Sequence, residues 1–209
     1  EDAKLIATGS CFENTLRCLA VSSAHQGEGL LNRILSHLTE YQAARGNFRL
    51  FLYTKAKSAR FMADLGFYEI ARVDDTLVFM ENRRSGFADY CADLAKTRRP
   101  ADRVVAVVMN ANPFTLSQEA GPIPAAVRKK LVLEGVADLP NVICHDSGPY
   151  MISSATFPSY FLKDSDQVVR TQAALDLEVF KKIADILGIR RRYVGEEPNS
   201  HTTCLYNQV

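Results

Sequence analysis

The 209-residue sequence lacks a long apolar run, and that absence limits where the protein can reside. Its longest apolar stretches have the length of a strand, far short of the about 20 residues that cross a membrane. No charged start followed by an apolar segment marks a secretion signal. We therefore expect a cytoplasmic protein that has no membrane partner. The sequence also has no internal repeat and no low-complexity tract.

Paired cysteines and a large net charge are missing as well. The five cysteines are odd in number and form no C-x-x-C motif, which argues against a disulfide framework and a zinc site, and we predict no metal ligands. The 25 basic and 24 acidic residues leave a net charge of +1, which attracts neither nucleic acid nor an anionic membrane. Partners must therefore be recognised at local sites.

The most informative segment that is present is VVAVVMNANPFT, residues 104–115. An apolar run that predicts a buried strand breaks there into four candidate ligand-binding residues, Asn110, Asn112, Phe114 and Thr115. In open α/β sheets, ligands bind outside the carboxyl ends of the strands, so polar groups at this point meet a phosphate or a ribose. An ordinary turn after a buried strand gives the same pattern, and this alternative stays open.

The first half of the chain contains the pattern of a strand, a glycine loop and a helix. TLRCLAV at residues 15–21 alternates as a half-buried strand, and Gln26, Gly27 and Gly29 follow it. Apolar residues then recur at helical spacing until Gly46: Leu31, Ile34, Leu35, Leu38 and Tyr41. Free backbone amides at such a helix start favour a pyrophosphate, with a purely structural turn as the alternative.

Periodicity and turn residues predict the other elements. Strands are expected at residues 48–54, 67–72, 77–80, 104–109, 142–145, 150–153 and 192–194. Helices are expected at residues 59–65, 87–95, 125–136 and 171–187. Strands that alternate with helices in the second half imply a parallel sheet.

Two sets of motifs resemble known families. Gln26-Gly27-x-Gly29-Leu30 resembles the coenzyme-A-binding loop of GCN5-related N-acetyltransferases, and Leu65-Gly66-Phe67-Tyr68 resembles a later helix-to-strand step of that fold. The ordered blocks NANPFT, ADLPNV, ISSATFPSYFLKD, YVGEEP and YN resemble the citrate lyase ligase family, and FADYCADLAKTRRP fits the same arrangement. Together these motifs span nearly all of the sequence.

The resemblance implies an α/β chain with two domains. Residues 1–82 would form an acetyltransferase-like α+β domain that is incomplete at its N-terminus, and residues 83–102 a linker with a helix. Residues 103–209 would form a Rossmann-like nucleotidyltransferase domain with a parallel sheet. The implied reaction uses ATP with Mg²⁺ to activate acetate as acetyl-adenylate. The acetyl group then passes to the thiol of the phosphoribosyl-dephospho-coenzyme A group on the citrate lyase acyl carrier subunit.

The resemblance also implies roles for individual residues. The phosphates of ATP would lie against the turn that contains Asn110, Asn112, Phe114 and Thr115, with Thr115 also catalytic. A second phosphate-contacting segment would contain Ser153, Ser154 and Thr156, for which a helix N-cap is the alternative. Gly195, Glu196 and Glu197 would close the site near the adenosine, with plain surface charge as the alternative. Gln26, Gly27 and Gly29 would bind the prosthetic group or a coenzyme-A-like molecule.

Two other functions stay open, because the nucleotidyltransferase fold hosts several reactions. One is a nucleotidyltransferase that moves AMP or CMP onto a phosphorylated small molecule. The other is a coenzyme-A-dependent acetyltransferase whose second half binds a regulatory nucleotide.

The sequence departs from the family in two places. The family continues NPFT into a Thr-x-Gly-His motif, whereas Thr115 and Leu116 are followed here by Ser117, and the catalytic histidine is missing. Ser154 stands where the family commonly has arginine. Because residues 110–124 form an unusually long stretch without a regular pattern, we hypothesise that the natural protein has residues after Leu116 that this sequence lacks.

We therefore expect the natural protein to have an intact mass above the 23.2 kDa of this sequence. The additional residues would restore the histidine motif. Mass spectrometry of the purified protein checks this, and a mass of 23.2 kDa would refute the omission.

Overall fold

The computed structural model describes residues 4–96, 105–109, 124–146, 148–150, 152, 157–162, 164–196 and 198–209. The chain divides into two compact units, Glu1–Gly86 and Phe87–Val209. Within the described ranges, no helix combines the length and the apolar character needed to cross a membrane. The predicted segments 110–115 and 153–156 and residue Glu197 lie outside the described residues.

The first unit contains a five-stranded sheet formed by β1 Ala7–Phe12, β2 Thr15–Val21, β3 Phe51–Lys55, β4 Tyr68–Val73 and β5 Leu77–Glu81. The strand order in the sheet is β1-β2-β3-β5-β4. Strands β2 and β3 are parallel, and the other neighbours are antiparallel. Two helices accompany the sheet, α1 Leu30–Ala44 and α2 Ala59–Asp64.

The core of the first unit joins the sheet to these helices, because alternating strand residues meet the apolar stripes of α1 and α2. It contains Leu16, Leu52, Val78 and Met80 from the strands, together with Leu35, Leu38 and Met62 from the helices. The neighbouring positions on β3 and β5 also interact. The rings of Tyr53 and Phe79 stack with centroids 4.8 Å apart, and those of Phe51 and Phe79 stack at 5.6 Å.

Helix α1 follows the predicted spacing except in its last turn. Tyr41 is 47% exposed, and the buried residue there is Gln42. The Gln42 side chain donates to the carbonyl of Glu13 and accepts a 2.8 Å hydrogen bond from the Asn47 amide. A buried amide is stable when its donor and its acceptor are both bonded, and a hydrophobic pattern does not reveal such partners. Tyr41 lies in α1 at the predicted helical spacing but is not part of the buried face of the helix.

The second unit contains a parallel pair of strands, β6 Val105–Met109 and β7 Val142–Asp146, whose register runs from Val105↔Val142 to Met109↔Asp146. Its helices are α3 Gly86–Lys96, α4 Ala125–Gly135, α5 Ser165–Leu187 and α6 His201–Tyr206. Helix α4 lies between β6 and β7 in the chain, as expected for the crossover that parallel strands require. Both predicted strands are present, and their parallel direction agrees with the parallel sheet expected for this half of the chain.

Two predicted strands of this unit are corrected. Tyr150 lies in a 3₁₀ turn, Gly148–Tyr150, and its buried ring packs edge-on against Phe87 of α3 with centroids 4.8 Å apart. Residues 192–194 form no strand, and Tyr193 and Val194 are 80% and 53% exposed. Tyr and Val are common in strands, so the sequence RRRYVG predicts one. Among the described residues, however, no strand pairs with this segment.

The C-terminal helices also differ from expectation. Helix α5 begins at Ser165 rather than at residue 171, because the Asp164 carboxylate caps it with a 2.8 Å hydrogen bond from the Asp166 amide. Gly188 ends α5 in the left-handed region, as predicted. Helix α6 was not predicted. It is short and polar, and its start is fixed by Ser200, which accepts from the amide of Thr203.

Candidate functional site

The glycine loop that precedes α1 has the backbone geometry that its sequence predicts. Gly27 and Gly29 have φ values of +87° and +73°, in the left-handed region where side chains are strained. Gly29 immediately precedes α1, and no side chain caps this helix start. The first amides of an α-helix have no acceptor within the helix, so this loop offers donors to an external anion.

Two side chains of the glycine loop carry opposite charges when His25 is protonated. His25 Nδ1 lies 3.1 Å from Glu28 Oε1, and the Glu28 side chain is 54% exposed. Exposed pairs of this kind contribute little to stability, so both side chains are free to rearrange around a ligand. The Glu28 carboxylate by itself would repel an anion, and the neighbouring imidazole offsets this repulsion in its protonated form.

Near the C-terminus, a buried carboxylate organises a second site. Asp176 lies on α5 and is buried, and its Oδ2 accepts from Arg192 Nη2 at 3.2 Å and from the Tyr206 hydroxyl. Arg192 also donates to the Tyr206 hydroxyl at 2.7 Å, and its guanidinium lies 4.6 Å from the ring centroid of Phe180. We call Asp176, Phe180, Arg192 and Tyr206 the Arg192 network.

Burial and the Asp176 carboxylate keep Tyr206 protonated, against the opposing effect of Arg192. Burial of the phenol, followed by the negative charge of Asp176, raises the pKa of Tyr206 to about 12. At neutral pH, Tyr206 therefore remains a hydrogen-bond donor to Asp176. The two partners of the buried Asp176 carboxylate offset the cost of removing its charge from water.

A second contact fixes the segment that follows Arg192. The Asn207 side-chain amide donates a 3.1 Å hydrogen bond to the carbonyl of Gly195. Gly195 and Glu196 are exposed and belong to neither a helix nor a strand. One of the predicted adenosine-site residues, Gly195, is therefore held at the surface by the side chain of Asn207.

The structure places the remaining described site residues in separate elements. Gln26, Gly27 and Gly29 share one loop in the first unit, whereas Gly195 and Glu196 lie in the second unit. Strand β6 ends at Met109, whose register partner Asp146 ends β7, so both carboxyl ends lie at one edge of the parallel pair. Met109 immediately precedes the predicted phosphate-binding residue Asn110 in the sequence.

The Arg192 network was not predicted from the sequence. One available signal was Asp176, a charged residue beside Leu175 on a strongly amphipathic helix, because a buried charge requires a partner. The partner itself is 16 residues away in the chain and only the fold identifies it. Over the part of the chain that is described, no group of three or more His, Cys, Asp or Glu side chains is arranged to hold a metal ion.

Comparison with known proteins assigns the chain to a family. The model of the citrate lyase ligase C-terminal domain matches residues 115–209. The citrate (pro-3S)-lyase ligase of Escherichia coli K12 is 33% identical over 229 residues, covering 99% of this chain and 65% of that protein. The protein of the same name from Klebsiella pneumoniae is 35% identical, covering 98% of the chain and 66% of its own length.

A third relative of that name, from Haemophilus influenzae Rd, is 30% identical and covers the whole chain and 69% of its own length. The chain therefore belongs to the citrate lyase ligase family, and the resemblance inferred from its motifs is confirmed. It spans about two thirds of the length of these relatives. No solved structure matches the chain.

The length of the match bears on the residues hypothesised to be missing. The match to the Escherichia coli relative covers 229 residues, although this chain has 209, so that relative carries additional residues within the matched stretch. Such a difference is what an omission would produce. The position of the omission after Leu116 stays a prediction.

We expect the Tyr206→Phe variant to lack one tyrosine that ionises near pH 12 in the folded parent protein. In the folded protein, Tyr206 and Tyr90 have pKa values raised to about 12, burial being the first cause for both. Since tyrosine in the unfolded chain ionises near pH 10, the stabilisation from protonated Tyr206 is complete below about pH 10 and is lost as the pH rises to about 12.

Ultraviolet absorbance of tyrosinate during an alkaline titration measures this effect. Tyr206→Phe should reduce the absorbance change near pH 12, and the control variant Tyr90→Phe should reduce it by a similar amount. An unchanged late step in Tyr206→Phe would contradict the assignment. Urea unfolding at each pH should show a smaller alkaline loss of stability in Tyr206→Phe than in the parent protein.

Proposed function

We propose that the protein is an ATP-dependent acetate:citrate lyase ligase. It activates acetate as acetyl-adenylate and acetylates the thiol of the phosphoribosyl-dephospho-coenzyme A group on the citrate lyase acyl carrier subunit. The observation that carries this proposal is the similarity, along 98–100% of the chain, to three proteins named citrate (pro-3S)-lyase ligase. Because the similarity extends along the whole chain, it supports a role in this reaction for both halves of the protein.

The proposed reaction has two steps, formation of acetyl-adenylate and transfer of the acetyl group to the thiol. An acetate oxygen attacks the α-phosphorus of ATP, and the bond to pyrophosphate breaks. The thiolate then attacks the acetyl carbonyl, a thioester forms and AMP leaves with the electron pair of the broken C–O bond. The first step needs positioning and charge stabilisation more than covalent help from the protein.

We include Mg²⁺ in this proposal only as the ion that normally binds the phosphates of ATP. The described side chains include no cluster that would hold the ion, and Mg²⁺ in nucleotide sites is bound largely by phosphates and water. We therefore assign no protein ligand to it and no step that depends on one.

We propose the domain arrangement as residues 1–82, an acetyltransferase-like domain, and residues 103–209, a Rossmann-like nucleotidyltransferase domain, joined by residues 83–102. Support for the first comes from the five-stranded sheet with its parallel β2–β3 pair and the glycine loop before α1. Support for the second comes from the parallel β6–β7 pair with α4 between them in the chain.

In the nucleotide site, we propose that Asn110, Asn112, Phe114 and Thr115 hold the phosphates, with Thr115 also taking part in catalysis. Ser153, Ser154 and Thr156 form the second phosphate segment, and Gly195, Glu196 and Glu197 close the site near the adenosine. Support comes from the end of β6 at Met109, since ligands bind at the carboxyl ends of parallel strands. Further support is the side-chain anchoring of Gly195 by Asn207.

The thiol-bearing group binds, in this proposal, at Gln26, Gly27 and Gly29. The uncapped start of α1 offers amide donors, and an added Cβ at Gly27 or Gly29 would meet no other atom within 4 Å. A pyrophosphate bridge, such as the one in dephospho-coenzyme A, is the anion that this geometry favours.

The proposed activity predicts an exchange of labelled pyrophosphate into ATP that depends on acetate. The reverse of adenylate formation incorporates the label, so exchange should occur with the natural full-length protein only when acetate is present. Exchange that needs a phosphorylated acceptor instead would indicate a nucleotidyltransferase. Thioester formation from acetyl-coenzyme A without any exchange would indicate an acetyltransferase.

We expect Gly27→Ala to weaken binding of the thiol substrate, because a methyl group would separate the phosphates from the loop amides. Gly46→Ala is a matched control. Gly46 has φ +83°, close to the +87° of Gly27, and both sites have nothing within 4 Å of an added Cβ. Backbone strain is therefore similar in the two variants, and Gly46 lies at the opposite end of α1.

With dephospho-coenzyme A as the soluble thiol acceptor, Gly27→Ala should raise KM roughly tenfold, the effect of losing one hydrogen bond to a charged group. Acetate-dependent pyrophosphate exchange should be unchanged in both variants. Equal values of KM in Gly27→Ala and Gly46→Ala would exclude the glycine loop as the binding site.

A further inference from the structure

We propose that Asn207 and the Arg192 network position the segment Gly195–Glu196 for nucleotide binding. Asn207 and Arg192 would then be positioning residues for ATP, acting through the backbone that they hold. This inference rests on the function proposed above, in which that segment closes the adenosine side of the site.

The segment between α5 and α6 has little other support. Residues 189–196 belong to no helix or strand, and the apolar side chains at its centre, Tyr193 and Val194, are 80% and 53% exposed. Burial of apolar surface therefore does little to order this stretch. Fixing a backbone costs conformational entropy at every residue, so an ordered course here depends on polar contacts.

Two such contacts lie three residues apart. Arg192 is held by Asp176 and Tyr206, and the carbonyl of Gly195 is held by Asn207. Tyr206 and Asn207 are consecutive, so one turn of chain at the end of α6 supplies both anchors. The segment is thereby tied to α6 at both points and to α5 through Asp176.

The two anchors differ in what their removal would do. Replacing Arg192 would leave the buried Asp176 carboxylate without its cationic partner, a change that destabilises proteins strongly. Asn207 is exposed, and its side chain makes one hydrogen bond to the segment. Substitutions at Asn207 therefore test positioning without disturbing the buried charge.

A preordered segment binds its ligand without a further entropy cost at the moment of binding. Loosening Gly195 should thus weaken ATP binding while the chemical step proceeds at its former rate once ATP is bound. If Asn207 had only a structural role, substituting it would lower the stability of the protein without raising KM for ATP relative to the change in kcat.

The experiment compares Asn207→Ala and Asn207→Asp with Gln208→Ala in the natural full-length protein. Aspartate at 207 has nearly the shape of asparagine but, when ionised, cannot donate to a carbonyl. Gln208 is the matched control, because its Oε1 accepts a 2.7 Å hydrogen bond from Arg170 of α5, a residue outside the segment 189–196. Hydrogen exchange of the amides at residues 193–196 reports the order of the segment.

Both Asn207 variants should show faster amide exchange at residues 193–196. They should also raise KM for ATP in the acetate-dependent pyrophosphate exchange roughly two- to tenfold, the range for one hydrogen bond, with kcat changed less than about twofold. Gln208→Ala should match the parent protein in both measurements.

The outcomes separate this inference from the proposed function. If the parent protein binds no ATP in a calorimetric titration, the proposed function fails and this inference fails with it. If the parent binds ATP and the Asn207 variants keep its KM, the inference alone is overturned, whatever the amide exchange shows. A rise in KM that Gln208→Ala shares would also overturn it, because the effect would then belong to α6 in general.

Discussion

The second unit depends near its C-terminus on one buried carboxylate. Asp176 lies on the inward side of α5, where an unpaired charge would be costly, and it is satisfied by Arg192 and Tyr206. Those two partners come from different segments, so the same interaction fixes the course of residues 189–196 and the docking of α6. Stacking of the Arg192 guanidinium on Phe180 adds a second contact from α5.

The first unit has the opposite character, since its candidate site is formed by local backbone geometry. The glycine loop needs left-handed φ values at Gly27 and Gly29 and an uncapped helix start, and these features depend on neighbouring residues in the chain. The sheet and its core hold β2 and α1 on either side of this loop. In the proposed function, the site of the second unit activates acetate and the glycine loop of the first unit binds the thiol-bearing group.

Much of the fold and of the family assignment could be predicted from the sequence. The helical spacing from Leu31 to Leu38, the stop at Gly188 and the β4–β5 hairpin follow from period and turn residues. The order of short motifs was enough to indicate the family, since motif order survives where overall identity is 30–35%. In the candidate site, the loop at Gln26–Gly29 was predicted because glycine content reports backbone conformation directly.

Local sequence thus determined the two strands β6 and β7, most of the long helix α5 and the glycine loop, because each of these elements depends on residues a few positions apart. Only the tertiary structure decided that Gln42 rather than Tyr41 is buried, that residues 192–194 form no strand, and that Arg192 pairs with Asp176. In each case the deciding partner is distant in the chain: the carbonyl of Glu13 for Gln42, and α5 and α6 for Arg192. A hydrogen bond or ion pair of this kind forms only where the fold brings two distant segments into contact. The spacing of hydrophobic residues within one segment does not show which other segment lies beside it.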